Sequence, residues 1–175
     1  ICMTWTATGL DRRLSLAALL NIGASMKQQI LVWFTASAVL SVFLPNVVVC
    51  TLFVPVAVKM LAFLGVKDIG ASRVATPILL AIVWGAGVGG FGSPLGGSAN
   101  LVAISYLEEV TGHEFMYWSW IERFTLPLLA VMALNVAFLW SIRTGAGRLP
   151  GTRAYFKEAY GALGPMRRDE HVALW

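Results

Sequence analysis

Two asparagines stand where apolar sequence is interrupted, and they are the residues best suited to hold an ion. Asn46 sits in Leu44-Pro45-Asn46-Val47, inside a charge-free run from Ile30 to Val58. Asn100 closes Gly96-Gly97-Ser98-Ala99-Asn100, inside a second run without charge from Val74 to Leu107. Pro45 cannot donate to a helical ladder. Seven of the 17 glycines fall between Gly85 and Gly97, with Pro94 among them. Glycine costs about 1 kcal/mol and proline about 3 kcal/mol in a helix interior. A regular helix is therefore not expected through Gly85–Gly97. Each asparagine then begins an apolar half-helix. Free N–H groups and partial positive charge at such a start suit an anion, while unwound carbonyls with Asn and Ser oxygens suit a small cation. A local alternative is that each asparagine only caps its half-helix.

The surrounding elements belong to a membrane. Apolar residues make up 58% of the 175 positions and charged ones 13%, where soluble domains carry about a quarter charged residues. A third charge-free run, Phe124 to Ile142, joins the other two, and about 20 apolar residues cross a bilayer. Residues 30–64 would extend about 52 Å as one helix against a core of about 30 Å. The reading is a re-entrant hairpin of Ile30–Leu44 and Val48–Leu64. One long span kinked at Pro45 is the alternative.

The pattern divides the chain. Residues 1–28 are the end of a span and an interfacial helix, 29–64 the hairpin, and 65–73 a cytoplasmic connector. Residues 74–110 are a broken transmembrane helix and 111–120 an extracytoplasmic loop with His113 and an aromatic belt of Tyr117, Trp118 and Trp120. Residues 121–142 are a continuous span. Residues 143–171 are a cytoplasmic linker with an interfacial helix around 153–163, and 172–175 begin another segment. The opening on Ile1 and the apolar close at Trp175 are expected of a piece of a larger protein. With this division Arg12, Arg13, Lys27, Lys59, Lys67, Arg73 and the basic residues after Ile142 fall on one side. Glu108, Glu109, Glu114 and Glu122 fall on the other, with Arg123 as its basic residue. Basic loops face the cytoplasm, so the chain is expected in the inner (plasma) membrane, and its net charge of +4 reflects a lipid surface, with no nucleic acid as partner.

Other chemistry is excluded. Gly85-Ala-Gly87-Val-Gly-Gly90 matches a dinucleotide fingerprint, but Gly92, Pro94, Gly96 and Gly97 break the helix that would hold a pyrophosphate. Those glycines have a packing alternative, close helix contact. Cys2 and Cys50 form no metal-binding spacing. No HExxH or GxSxG motif is present and no carboxylate lies at membrane depth, so no enzyme is expected.

Several stretches together resemble a known family. They are Thr8-Gly-Leu-Asp-Arg-Arg-Leu14, Ser41-Val-Phe-Leu-Pro-Asn-Val47, Phe53-Val-Pro-Val56, Gly89-Gly-Phe-Gly-Ser-Pro-Leu-Gly-Gly-Ser-Ala-Asn100, Tyr155-Phe156 and Leu163-Gly-Pro-Met166. They are similar to the divalent anion/sodium symporters of the ion-transporter superfamily, and to the first of that family's two inverted repeats. The Ser98-Ala99-Asn100 form is closer to the arsenite-permease and sodium/proton-antiporter branch. The family tip reads Ser-Asn-Thr; here it is Pro45-Asn46-Val47. The resemblance implies an all-α membrane protein, one half of an inverted-repeat transporter, combining a re-entrant hairpin with broken and continuous helices. It implies a secondary active transporter of a small anion (carboxylate, sulfate or similar) coupled to sodium or protons, and a homodimer for the full-length protein. Asn46, Val47, Gly97, Ser98 and Asn100 are the expected substrate site. Ser41, Pro45, Asn46 and Gly96 are the expected sodium site; no other cofactor is implied. A cation/proton antiporter or arsenite-type permease, and a non-transporting membrane scaffold, are the alternatives.

Overall fold

The computed structural model describes residues 8–20, 22–66, 68–115, 117–141, 148–166 and 168–172. Cys2, Lys67, Arg143, Arg167 and the expected opening of a next segment at 173–175 lie outside these. Every regular element among the described residues is a helix: α1 (Leu10–Leu19), α2 (Met26–Phe43), α3 (Asn46–Phe63), α4 (Ala75–Gly90), α5 (Ser98–Thr111), α6 (Tyr117–Ser141), α7 (Thr152–Gly161) and α8 (Arg168–Val172). Three of these, α2, α3 and α6, are long and apolar enough to cross a membrane; α4 is a shorter apolar helix.

The chain turns sharply between α2 and α3. A residue before proline is driven out of the helical region, and Leu44 is extended (φ −120°, ψ 147°), as is the ψ of Pro45 (137°). The ring of Trp33 packs edge-on against Phe53 with centroids 5.6 Å apart. Those residues would lie about 30 Å apart along one helix. The arms therefore fold back on each other, and the long kinked span is excluded. Each arm has 18 residues, about 27 Å of helix.

The base of this hairpin rests on α7. Phe156 is fully buried against Trp33, 5.8 Å between rings, and Tyr155 meets Phe63 at 5.2 Å. Leu149 donates its N–H to the Ala24 carbonyl at 2.8 Å. Helix α6 serves as a ruler beside the hairpin. Lys27 Nζ donates to the Trp140 carbonyl at 2.9 Å at the base. At the other end Trp120 Nε1 donates to the Phe91 carbonyl at 3.1 Å. Val42, next to the hairpin tip, and Leu128 of α6 both border Gly92. Leu128 is about 18 Å along α6 from Trp140. The tip thus lies beside the first half of α6, between Trp120 and Leu128, and no residue of α5 is buried.

Several boundaries differ from expectation. Helix α2 begins at Met26, because Gln29 is absorbed into its first turn. The Gln29 amide donates to Gly23 O at 2.7 Å and accepts from Trp33 Nε1 at 3.3 Å. Helix α6 begins at Tyr117, so the aromatic belt forms its first turn rather than a loop. Helix α4 runs through Gly85, Gly87, Gly89 and Gly90 before breaking at Phe91. No regular helix runs through Gly85–Gly97, but the first part of the broken helix extends to Gly90, for a reason that lies in α2.

Candidate functional site at the two helix breaks

Helices α2 and α4 lie backbone to backbone. A Cβ at Gly85 would collide with the Phe34 carbonyl, and one at Gly89 with the Ala38 carbonyl. Four residues on, Ser93 Oγ donates to the Val42 carbonyl. The matched steps, 85 to 34, 89 to 38 and 93 to 42, show that the two helices run in the same direction in register. The glycines are tolerated because their missing side chains permit this approach, as small residues do between membrane helices. Running in parallel from the base, both helices reach their breaks at the same level. That is how positions more than 50 residues apart in sequence come together.

The two breaks are bonded to each other. Asn46 donates its backbone N–H to the Gly96 carbonyl at 2.9 Å. A Cβ at Gly96 would meet the backbone of Gly90 and Ser41. Asn100 Nδ2 reaches back across the second loop, to Gly90 O at 2.7 Å and Ser93 O at 2.8 Å. Asn46 behaves differently, because its Oδ1 accepts from the adjacent Val47 N–H at 2.8 Å. Neither helix start has a side-chain cap. The capping alternative therefore does not describe Asn100, whose amide braces the loop instead.

Ser41 stands out at this junction. It is fully buried, and its Oγ has no hydrogen-bond partner. A helical serine commonly bonds back to the carbonyl four residues earlier, as Ser37 does to Trp33 O at 2.7 Å. Ser41 does not. Its Oγ lies 3.4 Å from where a Cβ of Gly90 would stand, beside the backbone of Gly90 and Gly96. A buried unsatisfied hydroxyl costs about 1–3 kcal/mol. An orphan oxygen beside backbone carbonyls, with no carboxylate near, has the donor set that a small monovalent cation takes.

The other expected residues lie at the same junction with different exposure. Val47 and Ser98 are exposed, while Pro45, Asn46, Gly97 and Asn100 are half-buried and Gly96 is buried. The junction brings the first turns of α3 and α5 together through Asn46 and Gly96. Two contributors escaped the sequence reading. Ser93 is the direct link between the breaks, and Trp120 holds the loop end at Phe91. Gly85 and Gly89 set the register, which is the packing alternative given for those glycines.

A membrane protein of Cupriavidus necator is 24% identical over 170 residues, covering 95% of this chain and 32% of the relative. The sodium-dependent dicarboxylate transporter SdcS of Staphylococcus aureus is 23% identical over 173 residues, covering 93% of this chain and 33% of its own length. The chain thus spans about a third of the length of the curated relatives it matches. With the citrate transporter family model matching residues 2–174, the chain belongs to that family, a family of membrane transporters rather than enzymes.

Proposed function

We propose that the full-length protein is a secondary active transporter of a small di- or tricarboxylate anion coupled to sodium, and that this chain supplies one half of the binding region. The observation that carries the reading is the orphaned, buried Ser41 Oγ where the two breaks meet. Ser41, the Gly96 backbone and the Pro45–Asn46 tip form the sodium site. Asn46, Val47, Gly97, Ser98 and Asn100 form one wall of the anion site, where the starts of α3 and α5 offer partial positive charge. The names of the relatives support a carboxylate as cargo. Sodium is favoured over protons because neither a carboxylate nor a histidine occurs in residues 30–58 or 74–107. Proton relays through a membrane use such groups; the ligands offered here are neutral oxygens. The hairpin re-enters from the cytoplasmic face of the plasma membrane, supported by its tip level with Leu128 of α6. The 65–73 connector lies on that same face, and the full-length protein works as a homodimer.

The test is uptake of labelled citrate and succinate by the full-length protein in proteoliposomes, with and without an inward sodium gradient. In Ser41→Ala the sodium concentration for half-maximal uptake should rise by about tenfold, the loss of one ligand worth about 1.4 kcal/mol. The melting temperature without sodium should not fall, because the hydroxyl removed has no partner in the protein. Unaltered sodium dependence in Ser41→Ala would remove the ion site. Uptake driven by a proton gradient alone would replace symport with sodium by a proton-coupled mechanism.

A further inference from the structure

Two charged side chains are buried among the described residues, Arg13 and Glu170, and neither belongs to the junction of the breaks. They lie 157 positions apart. Arg13 Nε donates to Glu170 Oε1 at 3.2 Å and stands 3.1 Å from Oε2. Its Nη1 donates to Gly164 O at 3.0 Å, and its Nη2 to Leu163 O and Pro165 O, both at 3.3 Å. The guanidinium carbon stands 5.9 Å from the ring centre of Tyr160. All three nitrogens of the planar fork are thus engaged. The hydrogen bond to Glu170 raises the Arg13 pKa, and burial opposes it.

The carbonyls that Arg13 gathers belong to the turn after α7. That helix ends at Gly161, and the chain turns at Gly164, whose φ is 66°. Carbonyls of such a turn need partners once buried, and Arg13 supplies them from α1. A buried ion pair alone is weak evidence of stability, since apolar side chains pack as well. A fork that bonds three successive carbonyls and a carboxylate fixes an orientation, which apolar packing does not. It is also placed at a consequential point. Helix α1 leads through residues 20–25 into the hairpin, and α7 follows the exit from α6. Arg13 closes a ring of chain around α2–α6, assisted by the Leu149 N–H to Ala24 carbonyl bond at 2.8 Å.

We propose that Arg13 is a positioning residue for transport: it fastens the entry to the hairpin and the linker after α6 into one interfacial frame against which the two breaks move. The inference rests on the transporter reading above, because a frame matters to rate only if something moves against it. The guanidinium fork is the element that counts, more than the charge pair. Glu170→Gln keeps an acceptor for Nε and leaves the three carbonyl bonds, whereas Arg13→Gln loses nearly all of them.

The experiment uses the full-length protein and two readouts. Uptake of labelled citrate and succinate gives the maximal rate and KM. Spin labels on cysteines replacing the exposed Ala18 and Asp169 give the distance distribution between α1 and α8 by pulsed EPR. In Arg13→Gln the maximal rate should fall by about tenfold with KM within about twofold, the signature of a lost step rather than lost binding. The distance distribution should broaden. Glu170→Gln should stay within about twofold of the parent in rate, and Arg13→Lys should fall between them, since an ammonium cannot span the four acceptors. An unbroadened distribution in Arg13→Gln overturns the frame. A broadened one with an unchanged rate overturns the positioning role. Where Arg13→Gln does not fold, a full rate in Arg13→Lys overturns the proposal. If the parent protein moves neither anion, the transport reading fails on that result, and an unbroadened distribution separately removes the frame.

Discussion

The two helix breaks lie at one level but are built differently. The first is two residues long, Leu44 and Pro45, and α3 resumes at Asn46. The second takes seven residues, Phe91 to Gly97, before α5 begins. The first uses its asparagine side chain only on the neighbouring Val47 N–H. The second sends side chains across gaps, Ser93 to Val42 O and Asn100 to Gly90 O and Ser93 O. The short break is a stiff proline corner, and the long break is the scaffold that holds it. A folded junction therefore depends mainly on the second loop. The first presents a polar group that the fold uses little, which leaves it free for a ligand.

The comparison is broken most severely by crowding the interface that brings the breaks level. Gly89→Ala places a methyl against the Ala38 carbonyl and Cα, with no flexible side chain to move aside. Overpacking of this kind should cost about 3 kcal/mol, the upper part of its usual range. Gly87→Ala is the control, since nothing lies within 4 Å of its Cβ position. It should be neutral or stabilise by up to about 1 kcal/mol through helix propensity. Melting temperature and monodispersity of the full-length protein in detergent measure both. Equal tolerance of the two alanines would refute the close α2–α4 approach.

Asn100→Asp comes next. The amide donates two hydrogen bonds to carbonyls that have lost their helix. A carboxylate in its place would set negative oxygens against both acceptors. The loss should be about 2–3 kcal/mol, with uptake failing through misfolding of the loop. This substitution removes the brace as well as adding charge to the proposed anion wall, and its loss of stability is what distinguishes Asn100 from Asn46. A melting temperature unchanged from the parent would contradict the bracing role.

How much of this was legible in the sequence follows from the range of each interaction. The corner at Pro45 was readable because proline acts on its own neighbour. The break in the glycine run was readable, but its starting point at Phe91 was not. Helix propensity disfavours Gly85–Gly90, but tertiary contact of Gly85 and Gly89 with Phe34 and Ala38 overrides it. The start of α2 at Met26 was not readable, because the fate of the Gln29 amide, bonded to Gly23 O and Trp33 Nε1, depends on the folded turn. The two breaks were readable as a pair from the residues that interrupt them, but the bond that joins them, from the Asn46 N–H to the Gly96 carbonyl, was not. Arg13 and Glu170 lay beyond any local pattern, since the partners are 157 positions apart. The orphan state of Ser41 is a property of three-dimensional packing, although its place in Ser41–Val47 was readable.

Asn46→Asp is the mildest change for the fold and the most informative for the site. Aspartate keeps the oxygen that accepts from the Val47 N–H. The Asn46 backbone N–H keeps its bond to Gly96 O. A negative charge in the first turn of α3 is favourable by about 0.3–1 kcal/mol. Stability should therefore be unchanged or slightly raised, in contrast to Asn100→Asp. Transport should respond in the other direction. A fixed carboxylate beside the proposed anion wall repels a di- or tricarboxylate, so the KM for citrate should rise by about tenfold, near 1.4 kcal/mol. The same charge beside Ser41 attracts a cation, so less sodium should be needed for half-maximal uptake. Opposite shifts for anion and cation in a stable protein cannot come from a damaged fold, which would weaken both. If the variant keeps its melting temperature, its citrate KM and its sodium dependence, then Asn46 touches neither ligand, and the first break is a structural corner alone.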